Sequence, residues 1–127
     1  MTGEILIDTS VLIDFFEDNI SKQTEEQMAN YELSISVATL TELYKFLLNH
    51  GKGTLWNDYK QKLSAYKIFE VNQEISEKAA ELSHRFGLSF ADSLIYSTAQ
   101  CNHLQLLTSD SDFSKKPGII IGKKRTA

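Results

Sequence analysis

The chain has 127 residues, 42% of them hydrophobic, and a formal net charge of -4. That length fits one globular domain over residues 1–127 with a real core. The longest apolar runs fall far short of a membrane span and the N-terminus has no signal-like start, so a cytoplasmic protein with no membrane association is expected.

Cys101 is the only cysteine, which excludes an intrachain disulfide and suits a small buried apolar position. Charge is unevenly spread. Residues 1 to 42 hold nine acids against Lys22 alone, while residues 43 to 127 hold twelve basic and eight acidic residues. An acidic first third gathers cations, whereas Lys115-Lys116 and Lys123-Lys124-Arg125 are candidates to meet phosphates unless they are simply solvated.

In chain order, Ile5, Leu6 and Ile7 form an unbroken apolar run suited to a strand buried on both faces of a parallel sheet. Asp8 ends it. Thr9 and Ser10 can cap a following helix whose Leu12, Phe15 and Phe16 share a face, so Asp8 stands at a strand-to-helix junction. In open α/β sheets ligands bind at such junctions. Ser21 to Met28 reads as a short polar helix. Leu33, Ile35 and Val37 then alternate through Ser34 and Ser36, as in a strand. Thr39-Leu40-Thr41-Glu42 has the spacing of a capping box, and Leu40, Leu43, Tyr44 and Leu47 continue a helical face until Gly51. Phe46 and Leu48 fall off that face, which suits deep burial or a partner chain.

Trp56, Tyr59, Leu63 and Tyr66 recur at helical spacing as a core stripe, with base stacking beside Lys60 and Lys62 as the rival reading. Ile68, Phe69 and Val71 suggest a third strand. Ile75, Ala79, Leu82 and Phe86 mark an amphipathic helix ended by Gly87, with Glu74, Glu77, Lys78, Glu81 and Arg85 on its outer face. Ser89-Phe90-Ala91-Asp92 repeats the capping-box spacing before a largely apolar helix. Leu106 and Leu107 form a fourth strand that ends in Thr108-Ser109-Asp110-Ser111-Asp112. Pro117 and Gly118 turn the chain into a last strand, Ile119 to Ile121. Strands alternating with helices throughout imply an α/β sandwich around a mostly parallel sheet.

Asp8, Glu42, Asp92 and Asp110 share an address just after a strand or in the first turn of a helix. Capping explains each acid separately; convergence explains all four. Carboxylates about 4 Å apart repel by roughly 4 kcal/mol at an effective dielectric of 20, so a converged set needs a cation. An all-oxygen site without His or Cys suits Mg²⁺ or Mn²⁺, which acidify a bound water and neutralise charge during phosphoryl displacement. Thr9, Ser10, Thr108 and Ser109 are placed to orient ligands or that water. His50, His84 and His103 have no ligand-like spacing.

Residues 7–13 (Ile-Asp-Thr-Ser-Val-Leu-Ile), 41–43 (Thr-Glu-Leu), 90–95 (Phe-Ala-Asp-Ser-Leu-Ile) and 107–113 (Leu-Thr-Ser-Asp-Ser-Asp-Phe) resemble the four motifs of PIN-domain ribonucleases, most closely VapC-like toxins of toxin–antitoxin modules. The resemblance spans nearly the whole chain. It implies a three-layer α/β/α sandwich on a five-stranded sheet, with Asp8, Glu42, Asp92 and Asp110 holding one or two Mg²⁺ or Mn²⁺ ions for cleavage of single-stranded RNA, tRNA included. It also implies a homodimer and a cognate antitoxin whose tail occupies the groove near the active site. Arg85, Lys115 and Lys116 would hold the flanking RNA backbone. Two departures stand out: Tyr96 and Ser97 replace the small residues common after the third acid, and Asp112 competes with Asp110 as the fourth. Two other classes are weighed. A phosphate-accepting receiver domain would need an acidic pair after the first strand, where Thr9-Ser10 follows Asp8. A PIN-like binding module without catalysis would not need all four acids.

Overall fold

A computed structural model of the chain describes residues 3–126. Five strands, β1 (Gly3–Ile7), β2 (Tyr31–Ser36), β3 (Lys67–Phe69), β4 (Gln105–Thr108) and β5 (Ile119–Ile121), form one sheet in the order β3-β2-β1-β4-β5. All four pairings are parallel. Six helices connect them: α1 (Thr9–Phe16), α2 (Lys22–Met28), α3 (Val37–Asn49), α4 (Trp56–Leu63), α5 (Gln73–Phe86) and α6 (Phe90–Cys101). Short 3-10 turns stand at Gly53–Leu55 and Ser111–Phe113.

The central strand explains the unbroken apolar run. Ile5 and Ile7 join the core under α1, α3 and α4, whereas Leu6 joins the core under α5 and α6. Leu107 and Leu106 divide between the two cores in the same way. Burial of each such side chain contributes roughly 1.5–3 kcal/mol, so β1 and β4 anchor both layers. In β2 the alternation has a different meaning. Ser34 and Ser36 are fully buried, not solvent-facing; the Ser34 hydroxyl donates to Ile5 O at 3.0 Å and Ser36 Oγ accepts from Ala38 N at 3.1 Å. Small satisfied hydroxyls let α6 pack close to the sheet here, where Thr98 reaches Ser36 at 3.4 Å.

Several boundaries differ from the sequence-based expectation. Val37 opens α3 instead of ending β2, because Ser36 is the N-cap. The Thr39–Glu42 capping box therefore does not form, and Glu42 sits in the second turn. Asp8, not Thr9 or Ser10, holds the N-cap position of α1, yet its side chain caps nothing. Val71 and Tyr66 lie outside β3 and α4. Asn72, Ser89 and the left-handed Gly87 (φ 70°) delimit α5 and α6 as local chemistry dictates. The Trp56–Tyr66 stripe packs on the core, and Trp56 stacks on Tyr44 with ring centroids 4.7 Å apart, not on an open platform. Cys101 is only half-buried, with Ser97 Oγ 3.9 Å from its sulfur.

Tyr96 and Ser97 have structural work in this chain. Tyr96 is buried, donates its hydroxyl to Pro117 O at 2.5 Å, and meets the edge of Phe113. Ser97 donates to Ile75 O at 2.7 Å, tying α6 to α5.

The second basic cluster is exposed, and it is also tied to the fold. Residues 122–125 run antiparallel to Ile20 as a strap, with Ser21 N donating to Lys123 O and Arg125 N to Asn19 O. Lys124 pairs with the buried Asp14 at 2.9 Å, and Arg125 pairs with Asp18 at 2.8 Å. Lys52 likewise meets Glu17 at 3.1 Å. Three of the nine acids of the first third are thus paired with cations from later in the chain. Gly122 is needed where the strap begins: a Cβ there would lie 3.1 Å from both Val11 Cγ2 and Thr24 Cγ2. Its amide donates to Thr108 O at 2.7 Å, linking the strap to the end of β4.

Candidate active site

The chain enters the sheet at its centre with β1, adds β2 and β3 on one side, then crosses back to lay β4 and β5 on the other. The carboxyl ends of β1 and β4 therefore flank a topological switch point, where open α/β sheets form their crevice. Asp8 follows β1 and Asp110 follows β4 by two residues.

Asp8 is 3% exposed and is held by two hydroxyls on a single oxygen: Ser10 Oγ donates to Oδ2 at 2.8 Å and Thr108 Oγ1 at 2.6 Å. Each hydroxyl is oriented by an amide behind it. Ser109 N donates to Ser10 Oγ at 3.2 Å, and Asp110 N donates to Thr108 Oγ1 at 3.0 Å. With a lone pair of each oxygen engaged by an N–H, each hydroxyl proton is aimed at Asp8. Both side-chain bonds fall on Oδ2 and none on Oδ1. Of the four expected orienting residues, Ser10 and Thr108 act through hydroxyls and Ser109 through its amide. Thr9 serves a different acid: its Oγ1 lies 2.7 Å from Glu42 Oε1 and 3.3 Å from Thr39 Oγ1. Thr39 is fully buried, and sequence reading assigned it only to a capping box; the spacing from Thr39 to Glu42 was the available signal.

Carboxylate oxygens of Asp92, Asp110 and Asp112 all lie within 4.8 Å of one another. Asp110 Oδ1 also accepts from Asp112 N at 2.9 Å, which shapes the turn after β4. Asp112 therefore joins Asp110 in the cluster instead of displacing it. Ser89 Oγ accepts from Asp92 N at 3.2 Å, so Asp92 supplies the amide of a cap while its carboxylate faces the other acids.

Electrostatics mark this as one site. Burial first, then the charges of Asp8 and Asp110, pushes Asp92 up to about 6, with Glu42 adding a smaller push. Asp8 is also raised, chiefly by burial; the Thr108 and Ser10 bonds oppose the rise and Glu42 adds to it. Asp92 thus feels the charges of Asp8, Asp110 and Glu42, and Asp8 feels that of Glu42. The donor set fits a hard divalent cation: every group is a carboxylate, and two are pushed up by burial and by neighbouring carboxylates.

The three candidate phosphate contacts separate. Lys116 donates to the Asp112 carbonyl and lies over the Phe86 ring at 5.3 Å, which Arg85 also covers at 5.0 Å. Those two form a basic rim beside the cluster. Lys115 is exposed in a left-handed turn (φ 65°).

A five-stranded parallel sheet with this acidic crevice defines a class, and the family model for the PIN domain matches residues 5–119. The chain belongs to the PIN-domain family. Among solved structures it is similar to a toxin–antitoxin complex from Klebsiella pneumoniae, at 26% identity over 92% of this chain and 96% of that one, with a TM-score of 0.77. A DNA-bound VapBC from Salmonella typhimurium matches at 18% identity over 95% and 97% of the two chains (TM-score 0.76). VapBC-1 from nontypeable Haemophilus influenzae matches at 17% over 95% and 96% (TM-score 0.74). No curated protein matches. Among the described residues, no helix is long and apolar enough to cross a membrane.

Proposed function

We propose that the protein is a Mg²⁺- or Mn²⁺-dependent endoribonuclease that hydrolyses single-stranded RNA, tRNA included, and serves as the toxin of a cytoplasmic toxin–antitoxin pair. The observation that carries the reading is the gathering of Asp8, Glu42, Asp92 and Asp110 from four separate segments into one mutually repelling site, with Asp92 pushed up to about 6. Asp8 Oδ1 and the Asp92, Asp110 and Asp112 carboxylates are the groups to hold the cation, and Glu42, fixed by Thr9, completes the negative wall. A divalent cation bound there supplies positive charge against a phosphodiester and lowers the pKa of a bound water. The chain's own contribution is preorganisation. Ser10, Thr108 and the amides of Ser109 and Asp110 fix one oxygen of Asp8 and leave the other without a side-chain donor, at no cost at the moment of reaction. Lys116 and Arg85 offset the repulsion that an acidic crevice exerts on RNA backbone.

End-labelled single-stranded RNA incubated with the protein and Mg²⁺ is expected to give internal cuts that EDTA abolishes and excess Mg²⁺ restores. Cutting that persists in EDTA, or none in any metal, would contradict the reading.

The likeness to chains of toxin–antitoxin complexes supports a cognate antitoxin as partner. For self-assembly, Tyr44, Leu48 and Leu55 remain exposed where α3 meets the Gly53–Leu55 turn, with Trp56 stacked beneath Tyr44. Burying them favours a homodimer through this face. Sedimentation at tens of micromolar is expected to give a dimer, and Leu48→Glu a monomer. A monomeric wild type would remove this part of the proposal.

A further inference from the structure

A groove of about 600 Å³ runs between α5 and α6, lined by Val71, Ala79, Ala80, His84, Phe90 and Leu94 among others. Its upper end is Phe90, which is 81% exposed, far more than the other large apolar side chains of the fold. Folding does not account for that exposure. The neighbouring core position is taken by Leu88, and Phe86 and Phe113 already pack against α6 and the sheet. Phe90 is the first residue of α6 and Asp92 lies two residues on, about 3 Å along the axis and about 200° around it. The two side chains thus stand on opposite sides of the first turn, about 10 Å apart across the helix, so a strand that passes over this helix end can set a phosphate at Asp92 and a base beyond it against Phe90.

The rest of the groove suits a base. Ala79 and Ala80 leave space. The Ser83 and Ser93 hydroxyls donate to Leu88 O and Phe90 O, so towards the groove they offer lone pairs, which accept from the amino or imino groups of a base. Arg85 and Lys116, both over Phe86, add the backbone-binding charge. Exposed rings on which bases stack, combined with positive charge along the path of the backbone, are how proteins hold unpaired nucleic acid without reading its sequence strictly.

We propose that this groove is a nucleobase subsite in which Phe90 stacks on a base of single-stranded RNA adjacent to the phosphate held at the acidic cluster. It rests on the nuclease reading above and names how that site grips its substrate. The test uses the full chain and a fluorescent single-stranded RNA of degenerate sequence in Mg²⁺. Phe90→Ala is expected to raise KM by about tenfold, the effect of losing one stacked base, with kcat within about twofold. Phe90→Tyr is expected to restore the wild-type KM. In Phe90→Trp, the added indole fluorescence is expected to be quenched by the RNA. All three variants are expected to melt with wild type, because the ring is exposed. A Phe90→Ala protein with wild-type KM would overturn the subsite and leave the ring to a protein partner. A wild type that neither binds nor cuts single-stranded RNA would overturn the nuclease reading and the subsite with it, and is recognised without any variant.

Discussion

Asp8→Asn is expected to reduce Mg²⁺-dependent cleavage of single-stranded RNA by roughly a thousandfold or more, with no loss of stability in the metal-free protein. The reason lies in how the carboxylate is held. Both hydroxyl bonds, from Ser10 and from Thr108, fall on Oδ2. An asparagine can place its carbonyl oxygen there, keep both bonds, and so put its NH₂ in the place of Oδ1, the oxygen proposed to meet the cation. That replaces an anionic ligand by a donor pointed at the cation, and several kcal/mol of charge stabilisation is lost. Stability should not suffer, because a buried carboxylate whose pKa is raised by burial gives way to a neutral amide. Asp8→Ala is the contrasting variant. It leaves the Ser10 and Thr108 hydroxyls without their acceptor in a buried place, a cost of about 1–3 kcal/mol. Rates on labelled RNA and melting curves without metal separate the two cases. Wild-type cleavage by Asp8→Asn in the same Mg²⁺ buffer would refute the mechanism.

What could be read from the sequence follows from how local each cause is. The run Ile5–Ile7 ending at Asp8 declares a central strand and its terminal carboxylate, because both faces must be apolar and the acid cannot continue the strand. The alternation of strands and helices and the Gly87 stop are equally local. The capping box at Thr39 misled because two serine and threonine residues compete to cap α3: Ser36 wins, and Thr39 is freed to be buried beside Thr9. Periodicity identified the strand through Ser34 and Ser36 but not the burial of these serines, since it cannot tell a wet hydroxyl from one bonded to a neighbouring strand or a helix end. The strap at residues 122–125 could not be foreseen. Its partner, the segment from Asp14 to Thr24, is about a hundred residues away, and Asp14 looks like any polar residue of a short helix until Lys124 reaches it. For the acids the order is reversed: chemistry suggested convergence, and the crossover between β1 and β4 supplies the reason for it.

Proton and metal should compete for the same carboxylates, which gives the second large effect. In the unfolded chain Asp92 titrates near 3.8; in the fold it titrates near 6, and Asp8 is shifted the same way. Between about pH 4 and pH 6 the native protein therefore holds protons that the unfolded chain has released. Unfolding then releases protons, so each step up in pH within that window favours the unfolded state. From Asp92 the metal-free protein is most stable below the window, loses stability through it, and changes no further above about pH 6, while Asp8 contributes with the same sign. Asp92→Asn should flatten that slope, which separates it from the titration of other acids. A cation reverses the trend, because it binds the ionised form of the folded site alone. At 10 to 100 times its dissociation constant it adds about 1.4–2.7 kcal/mol, or roughly 5–10 °C in melting temperature for a chain of this size. Millimolar Mn²⁺ is accordingly expected to raise the melting temperature by several degrees at pH 7.5, by little at pH 5, and not at all after chelation. Differential scanning fluorimetry across that range decides the matter. An equal gain at both pH values would mean that the metal binds away from Asp8 and Asp92, and no gain at either would mean that these acids do not form a metal site.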